Sequence, residues 1–371
     1  MKKVLFIISY INKSNNLEWF FEELSKVSNI QTNIILLGKK GTPFEQKLRV
    51  LNVKVKVYLQ SSRIDFFINL VRVFIFQIFW RPNVVHTHLR EATLIGIFTS
   101  WLLHIKKRIY SRHTANYNHL YHPKSMVFDK IINLMSTKII AISINVANIL
   151  KVEGVQQSKI ALIHHGFKKS EFENISNERI NSIKNKYCIN SNLVIGVISR
   201  YIHLKGYQYI IPALSKIKLK YPSVQFVFAN ASGPYKKEIE KLIHQYDIEN
   251  NLIEIPFEED VIALFKTFDL FIHTPINEEI EAFGQIYVES QLLGIPSIVT
   301  LSGVAPEFLK SGYNTFVVPF KNSKAIYEAI EELLENHQLK EEIVKNGHEN
   351  ISKKFSIEEM VNNHVKLYLN G

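Results

Sequence analysis

Leu193-Val-Ile-Gly-Val-Ile-Ser199-Arg200-Tyr-Ile-His-Leu-Lys205-Gly206 opens the second half of this 371-residue chain, and its reading decides the fold. A β-branched apolar run that ends on Ser-Arg, followed by Gly at the entrance of a segment with helical periodicity, describes a buried parallel strand passing into a helix. Upstream, the polar stretch from Lys168 to Asn192, rich in Asn, Ser, Glu and Lys, reads as a linker and the first helix of a new domain. Downstream, the spacing predicts strands near Leu193–Ser199, Gln225–Phe228, Leu252–Ile255, Leu270–His273, Ser297–Thr300 and Thr315–Val318, with helices between them. From Ser323 to Leu369 the pattern is helical throughout.

Towards the N-terminus the same alternation places strands near Val4–Ser9, Thr32–Leu37, Val53–Leu59, Val84–His88, Arg108–His113, Lys138–Ser143 and Lys159–His164. The expected architecture is α/β: two Rossmann-like, doubly wound parallel-sheet domains facing across a cleft. The first domain is expected over 1–167 and the second over 168–353, with a C-terminal helix over 354–371 packing back on the first. Ligands of open parallel sheets sit beyond the carboxyl ends of the strands, so functional residues are sought there.

Composition narrows the class. An apolar fraction of 46% and a mean hydropathy of −0.01 describe a globular chain. The single cysteine, Cys188, excludes an internal disulfide and a cysteine-built zinc site, and fits a reducing compartment. Met1-Lys2-Lys3 and the apolar Val4 to Ile11 lack a small-residue cleavage site and read as a buried first strand rather than a leader. The most hydrophobic window, Ile64 to Trp80, is interrupted by Asp65, Asn69, Arg72 and Gln77. It is too polar and short to span a bilayer; the expectation is an interior helix with most of its residues buried. Net charge is +11, unevenly held: residues 1 to 170 carry 25 Lys and Arg against 8 Asp and Glu, and the remainder 20 against 26. The basic excess of the first half suits nucleic acid, an anionic lipid surface or phosphorylated substrates. No nucleic-acid-reading motif accompanies it.

Two constellations carry chemistry. In Glu281-Ala-Phe-Gly284-Gln-Ile-Tyr-Val-Glu289-Ser-Gln-Leu-Leu-Gly294-Ile-Pro296, two carboxylates bracket a Gly-containing loop and the start of a helix. The N–H groups of Phe283, Gly284 and Gln285 then lie at a helix N-terminus, which favours a diphosphate, and Glu289 is placed to accept hydroxyl hydrogen bonds from a ribose. Taken alone, the pattern equally describes an acidic loop and a surface glutamate. In the opening stretch, Arg200 and Lys205 stand five apart beyond a strand end, a natural place for two cations to neutralise a leaving pyrophosphate; taken alone, such a pair is more commonly two solvated cations on an ordinary strand–helix loop.

In these residues the chain resembles the donor half of the family-4, group 1 retaining glycosyltransferases of GT-B fold. The E-x7-E frame of Glu281 and Glu289, Gly294-x-Pro296, and Arg200 with Lys205-Gly206 match. So do Phe226-Val-Phe-Ala-Asn-Ala-Ser-Gly233-Pro234, Phe268-Asp-Leu-Phe-Ile-His-Thr-Pro275, Gly303-Val-Ala-Pro-Glu307 and Gly312-Tyr-Asn-Thr-Phe-Val-Val-Pro319. The likeness is strongest from Leu193 to Pro319. It implies Arg200 and Lys205 on the donor diphosphate, Glu289 on the ribose, Glu281 on the donor sugar, and backbone near Pro256 to Val261 at the base. In the first half, Asn83-Val-Val-His86-Thr-His88 and Ser111-Arg112-His113-Thr114 resemble acceptor-side segments, which implies His113 near the anomeric centre. A front-face displacement, in which the leaving phosphate takes the acceptor's proton, explains retention in such enzymes.

Departures from the pattern are the loop Asn12-Lys13-Ser14-Asn15-Asn16, where family members carry a Gly pair, and Ala231 and Thr315 at positions where glycine is common. The resemblance implies a nucleotide-diphosphate sugar, UDP-linked by frequency in the family, as donor. A glycan or lipid-linked glycan on a cell-surface polysaccharide pathway is the implied acceptor. No cofactor and no metal are expected, since no Asp-x-Asp motif follows a strand. The basic first half, with Lys106-Lys107-Arg108 and the aromatic, basic-flanked segment Arg63 to Arg81, suggests peripheral attachment to anionic lipid at the cytoplasmic face of the membrane. A nucleotide-sugar epimerase of the same fold, or a binding protein that has lost activity, remains the alternative.

Overall fold

The computed structural model describes every residue except 52, 116–122, 352, 353 and 371. The chain divides into two compact units, one of residues 1–168 with 355–371 and one of residues 169–354. All thirteen strands expected from the sequence are present. In the first unit they are β1 (Lys2–Ser9), β2 (Ile30–Leu37), β3 (Lys54–Tyr58), β4 (Val84–His88), β5 (Lys107–Arg112), β6 (Lys138–Ala141) and β7 (Ile160–Leu162). They form one parallel sheet in the order β3-β2-β1-β4-β5-β6-β7. Val4 to Ile8 of β1 are completely buried, as a central strand covered on both faces requires.

The second unit holds β8 (Val194–Ile198), β9 (Gln225–Ala229), β10 (Leu252–Ile255), β11 (Leu270–His273), β12 (Ser297–Val299) and β13 (Phe316–Val317). Their order is β10-β9-β8-β11-β12-β13, also parallel. In each sheet the chain reverses its winding beside the first strand, between β1 and β4 and between β8 and β11. Those switch points open a crevice at the carboxyl ends of the strands.

The last helix, Ile357–Leu369, belongs to the first unit. It enters through the Phe167 N–H, which donates to the Phe355 carbonyl at 2.8 Å, and it buries Ile357, Met360, Val361, His364 and Tyr368. Gly166 permits the close approach: a Cβ there would lie 2.6 Å from the Ile357 Cα.

Two local expectations are corrected. Asn15 and Asn16 are not loop residues but the first turn of the helix Asn15–Leu24, because the Ser14 side chain caps it by accepting from the Leu17 N–H. The helix Arg63–Trp80 is not an interior helix. It is started by a capping box between Ser62 and Asp65, and its buried residues are Asn69, Val73 and Gln77. Ile64, Phe67 and Phe79 are 71%, 66% and 83% exposed. Asn69 Nδ2 donates to the Leu59 carbonyl at 2.8 Å and Gln77 Nε2 to Thr99 Oγ1 at 2.9 Å, which offsets part of the cost of burying them; Gln77 Oε1 has no partner among the described residues.

Candidate functional site

In the second unit, the residues singled out from sequence gather where β8 and β11 end. Arg200 follows β8 by two positions, is exposed, and makes no ion pair among the described residues. The chain then forms a 3-10 turn over His203–Lys205 and leaves it through Gly206 at φ +83°, from which the helix Tyr207–Lys220 begins. The turn lies against the segment after β11, with the Ile276 N–H donating to the Leu204 carbonyl at 3.1 Å. No other residue type suits position 206, since a Cβ would sit 2.1 Å from the Thr274 carbonyl oxygen in a left-handed backbone. Gly206→Ala is therefore expected to destabilise the protein by on the order of 3 kcal/mol, read as a lowered midpoint in chemical denaturation.

That turn delivers the Lys205 ammonium to Glu281 Oε1, and the same oxygen lies 2.9 Å from His273 Nε2 at the end of β11. Burial alone would push the Glu281 carboxyl up, but Lys205 and His273 more than reverse this and hold it well below the usual carboxylate range. Burial lowers His273 against the pull of Glu281, so at neutral pH His273 is a neutral imidazole whose Nε2–H donates to the carboxylate. The Glu281 N–H donates to Ser302 Oγ at 3.1 Å, and Gly303 leaves room beneath the side chain, where a Cβ would meet the Glu281 Cβ at 2.6 Å. Glu281 is thus a fixed, ionised acceptor.

Following it, Phe283 is buried and Gly284, at φ +85°, caps the helix Gln285–Leu292 without any side-chain cap. A helix start without a side-chain cap favours negative charge beside it through its dipole. One turn on, the Glu289 side chain makes no hydrogen bond or ion pair among the described residues, and burial pushes its carboxyl up to about 7. The loop after β10 is pinned from outside: Arg179 forks onto Asp260 at 2.9 and 2.8 Å, and Lys186 and Tyr187 both reach Glu258 at 2.7 Å.

The first unit carries a separate group. His88 Nδ1 is 3.0 Å from His113 Nε2, and His86 bridges Tyr368 Oη at 2.7 Å and Ser111 Oγ at 2.9 Å. Burial, reinforced by His364, lowers His113 to about 4, which makes it a neutral hydrogen-bonding group. A cavity of about 320 Å³ opens beside it, lined among others by Leu89, Arg90, Thr93, Arg112 and Phe128. Arg112 is no ligand-binding cation: it is buried against Glu153 at 2.8 Å and near Asp129 at 3.6 Å. Leu89 takes φ 66° and ψ 168° at the strand-to-helix junction, a costly conformation for a branched residue that turns the chain around the cavity mouth.

The structure thus brings Lys205 and Glu281 into contact and sets Arg200, Phe283, Gly284, Gln285 and Glu289 on the turn and helix around them; His113 stands in the other unit. Sequence reasoning missed His273 and His88. Both end strands and point at a residue already singled out, but only the partner gives either of them meaning. Among the described residues, no group of three or more His, Cys, Asp or Glu is arranged to hold a metal ion.

Two α/β units, each built on a parallel sheet with a switch point beside its first strand, define a GT-B protein. Two family models match in tandem, "Glycosyltransferase Family 4" over residues 22–171 and "Glycosyl transferases group 1" over residues 180–350. The chain belongs to the family-4, group 1 glycosyltransferases. It is similar to the capsular polysaccharide biosynthesis glycosyltransferase CapM of Staphylococcus aureus, at 27% identity over 74% of this chain and 73% of that protein. It also resembles the lipopolysaccharide core biosynthesis glycosyltransferase LpsE of Rhizobium meliloti, at 21% identity over 47% and 49% of the two chains. Among solved structures, Anabaena HepE in complex with UDP and glucose superposes over 100% of both chains with a TM-score of 0.85 at 19% identity.

Proposed function

We propose that this chain transfers the sugar of a UDP-linked donor, with retention of anomeric configuration and without a metal, to a glycan or lipid-linked glycan during cell-surface polysaccharide assembly. The observation that carries this reading is the Lys205–Glu281–His273 cluster, a cation and a fixed carboxylate at the β8/β11 switch point beside an uncapped, glycine-led helix. The relatives' roles in capsule and lipopolysaccharide assembly, and the UDP and glucose held by HepE, support the substrate class.

In this reading Arg200 and Lys205 face the diphosphate together with the N–H groups of Phe283 to Gln285, and Glu289 accepts from the ribose hydroxyls. Glu281 accepts from the donor sugar and steadies positive charge at its anomeric carbon. The bond from that carbon to the phosphate oxygen breaks, and its electron pair leaves with the nucleotide. The acceptor oxygen bonds to the same face of the carbon, and its proton passes to the departing phosphate. His113, neutral, orients a hydroxyl at the cavity and supplies no proton.

The test is metal-free thermal-shift and calorimetric titration with UDP, GDP and ADP. UDP alone should stabilise the parent, by about 2.7 kcal/mol at a concentration a hundredfold above Kd. Transfer should persist in chelator. Stabilisation by none of the three nucleotides, or transfer that stops with chelator and returns with manganese, would sink this reading.

A further inference from the structure

The helix Arg63–Trp80 is built inside out. Its polar Asn69 and Gln77 are buried, each donating through its amide nitrogen, while Ile64, Phe67, Val71, Ile75, Ile78 and Phe79 form one stripe facing solvent. The spacing of those six follows successive helical turns, so they lie on a single face. The stripe does not stop at this helix. It packs beside Arg90–Leu102, whose Trp101 and Leu102 are exposed, and that helix packs beside Met126–Met135, whose Val127, Ile131 and Leu134 are exposed. Large apolar side chains exposed on three adjoining helices mark an interaction site.

Charge identifies the occupant. Exposed Arg63 and Arg81 stand at the two ends of the helix, and its single acid, Asp65, is engaged by the N–H groups of Ser61 and Ser62. Residues 1 to 170 carry 25 cationic against 8 anionic side chains. A second copy docked on this face would bring like charge against like, whereas an anionic bilayer complements both the cations and the apolar stripe. No helix among the described residues is long and apolar enough to cross a membrane, so the geometry fits a helix lying in the lipid surface.

We propose that the outer face of the helix Arg63–Trp80, continued by Trp101, Leu102 and the helix Met126–Met135, docks the first unit onto an anionic phospholipid bilayer by inserting its apolar side chains at the headgroup boundary. Resting on the transferase reading, the surface also sets the direction of acceptor entry. The helix Met126–Met135 borders the cavity beside His113 through Phe128 and Ile132, while its Val127 and Leu134 face outward. A lipid-linked sugar lodged in the bilayer would then meet the cavity without leaving the membrane.

The experiment is co-sedimentation of the whole chain with vesicles of phosphatidylcholine alone and of equal parts phosphatidylcholine and phosphatidylglycerol. It is run on the parent and on Phe67→Ser/Phe79→Ser, two side chains exposed enough that their loss leaves the fold intact. The parent should sediment with the anionic vesicles and less with the neutral ones, weakening as salt rises. The double variant should bind at least about tenfold more weakly while keeping the parent's melting temperature. Equal sedimentation of parent and variant, or none with either vesicle, would overturn the proposal. So would a parent chain dimeric by light scattering that the double variant makes monomeric, since the face would then be a self-association surface. UDP stabilisation measured on the same samples keeps the two readings apart: its absence with vesicle binding intact would remove the transferase reading and leave the docking surface standing.

Discussion

Lys205→Ala should lower kcat/KM for sugar transfer by about 10²–10³-fold, the loss typical of removing one preorganised electrostatic group from a transition-state site. It should also destabilise the fold, because Lys205 and Glu281 are both largely buried and the substitution leaves a carboxylate without its cation. Breaking such a pair costs about 3–5 kcal/mol. Glu281 is held below its ordinary value in the parent, so its contribution to stability is present above about 4.5 and fades as pH falls through the depressed value. The deficit of Lys205→Ala is accordingly largest at neutral pH and narrows in acid. Lys205→Met/Glu281→Gln should recover most of the stability and none of the turnover. A Lys205→Ala enzyme with unchanged turnover would take Lys205 out of the site.

Glu289→Gln should change stability and nucleotide binding in opposite directions. Burial lifts the Glu289 carboxyl to about 7 in the folded protein against 4.5 ordinarily, so the folded state holds that proton more tightly than the unfolded chain. The associated stabilisation is full below about 4.5 and is lost as pH rises through 7. An amide removes this loss. At pH 8 the variant should gain up to about 3 kcal/mol over the parent, at 1.36 kcal/mol per pKa unit, and near pH 4.5 it should gain nothing. On the proposed role of Glu289 as acceptor of two ribose hydroxyls, UDP binding at pH 8 should weaken about tenfold or more, since the amide accepts more weakly. Melting curves and calorimetry at both pH values check the pair of signs; a variant less stable than the parent at pH 8 would refute the origin assigned to the shift.

The strands were legible because their apolar runs are short, β-branched and bounded by turn residues, as in Leu193 to Ser199 and Leu270 to His273. Arg200, Lys205, Glu281 and Glu289 stood out because they occupy fixed offsets from strand ends and a glycine that resemble a family pattern, and of these the structure brings Lys205 and Glu281 into contact. His273 was not, since one histidine closing a strand acquires meaning only when a loop folds Glu281 back over it at 2.9 Å. The helix Arg63–Trp80 shows a different limit. Its periodicity announces a helix, but residues that are apolar all round do not say which side is covered, and here the two amides settled the matter in favour of the inside. The backbone strain at Leu89 leaves no trace in a leucine codon's neighbours at all.

The return of Ile357–Leu369 to the first unit orders the protein's own synthesis. Residues 169–354 are contiguous, so the second unit has its whole sequence available while the first, begun earlier, still lacks the helix that brings Tyr368 to His86. A nascent chain that has just cleared residue 354 from the ribosome would carry a complete second unit and a histidine cluster still awaiting its lid, with maturation running against the order of translation.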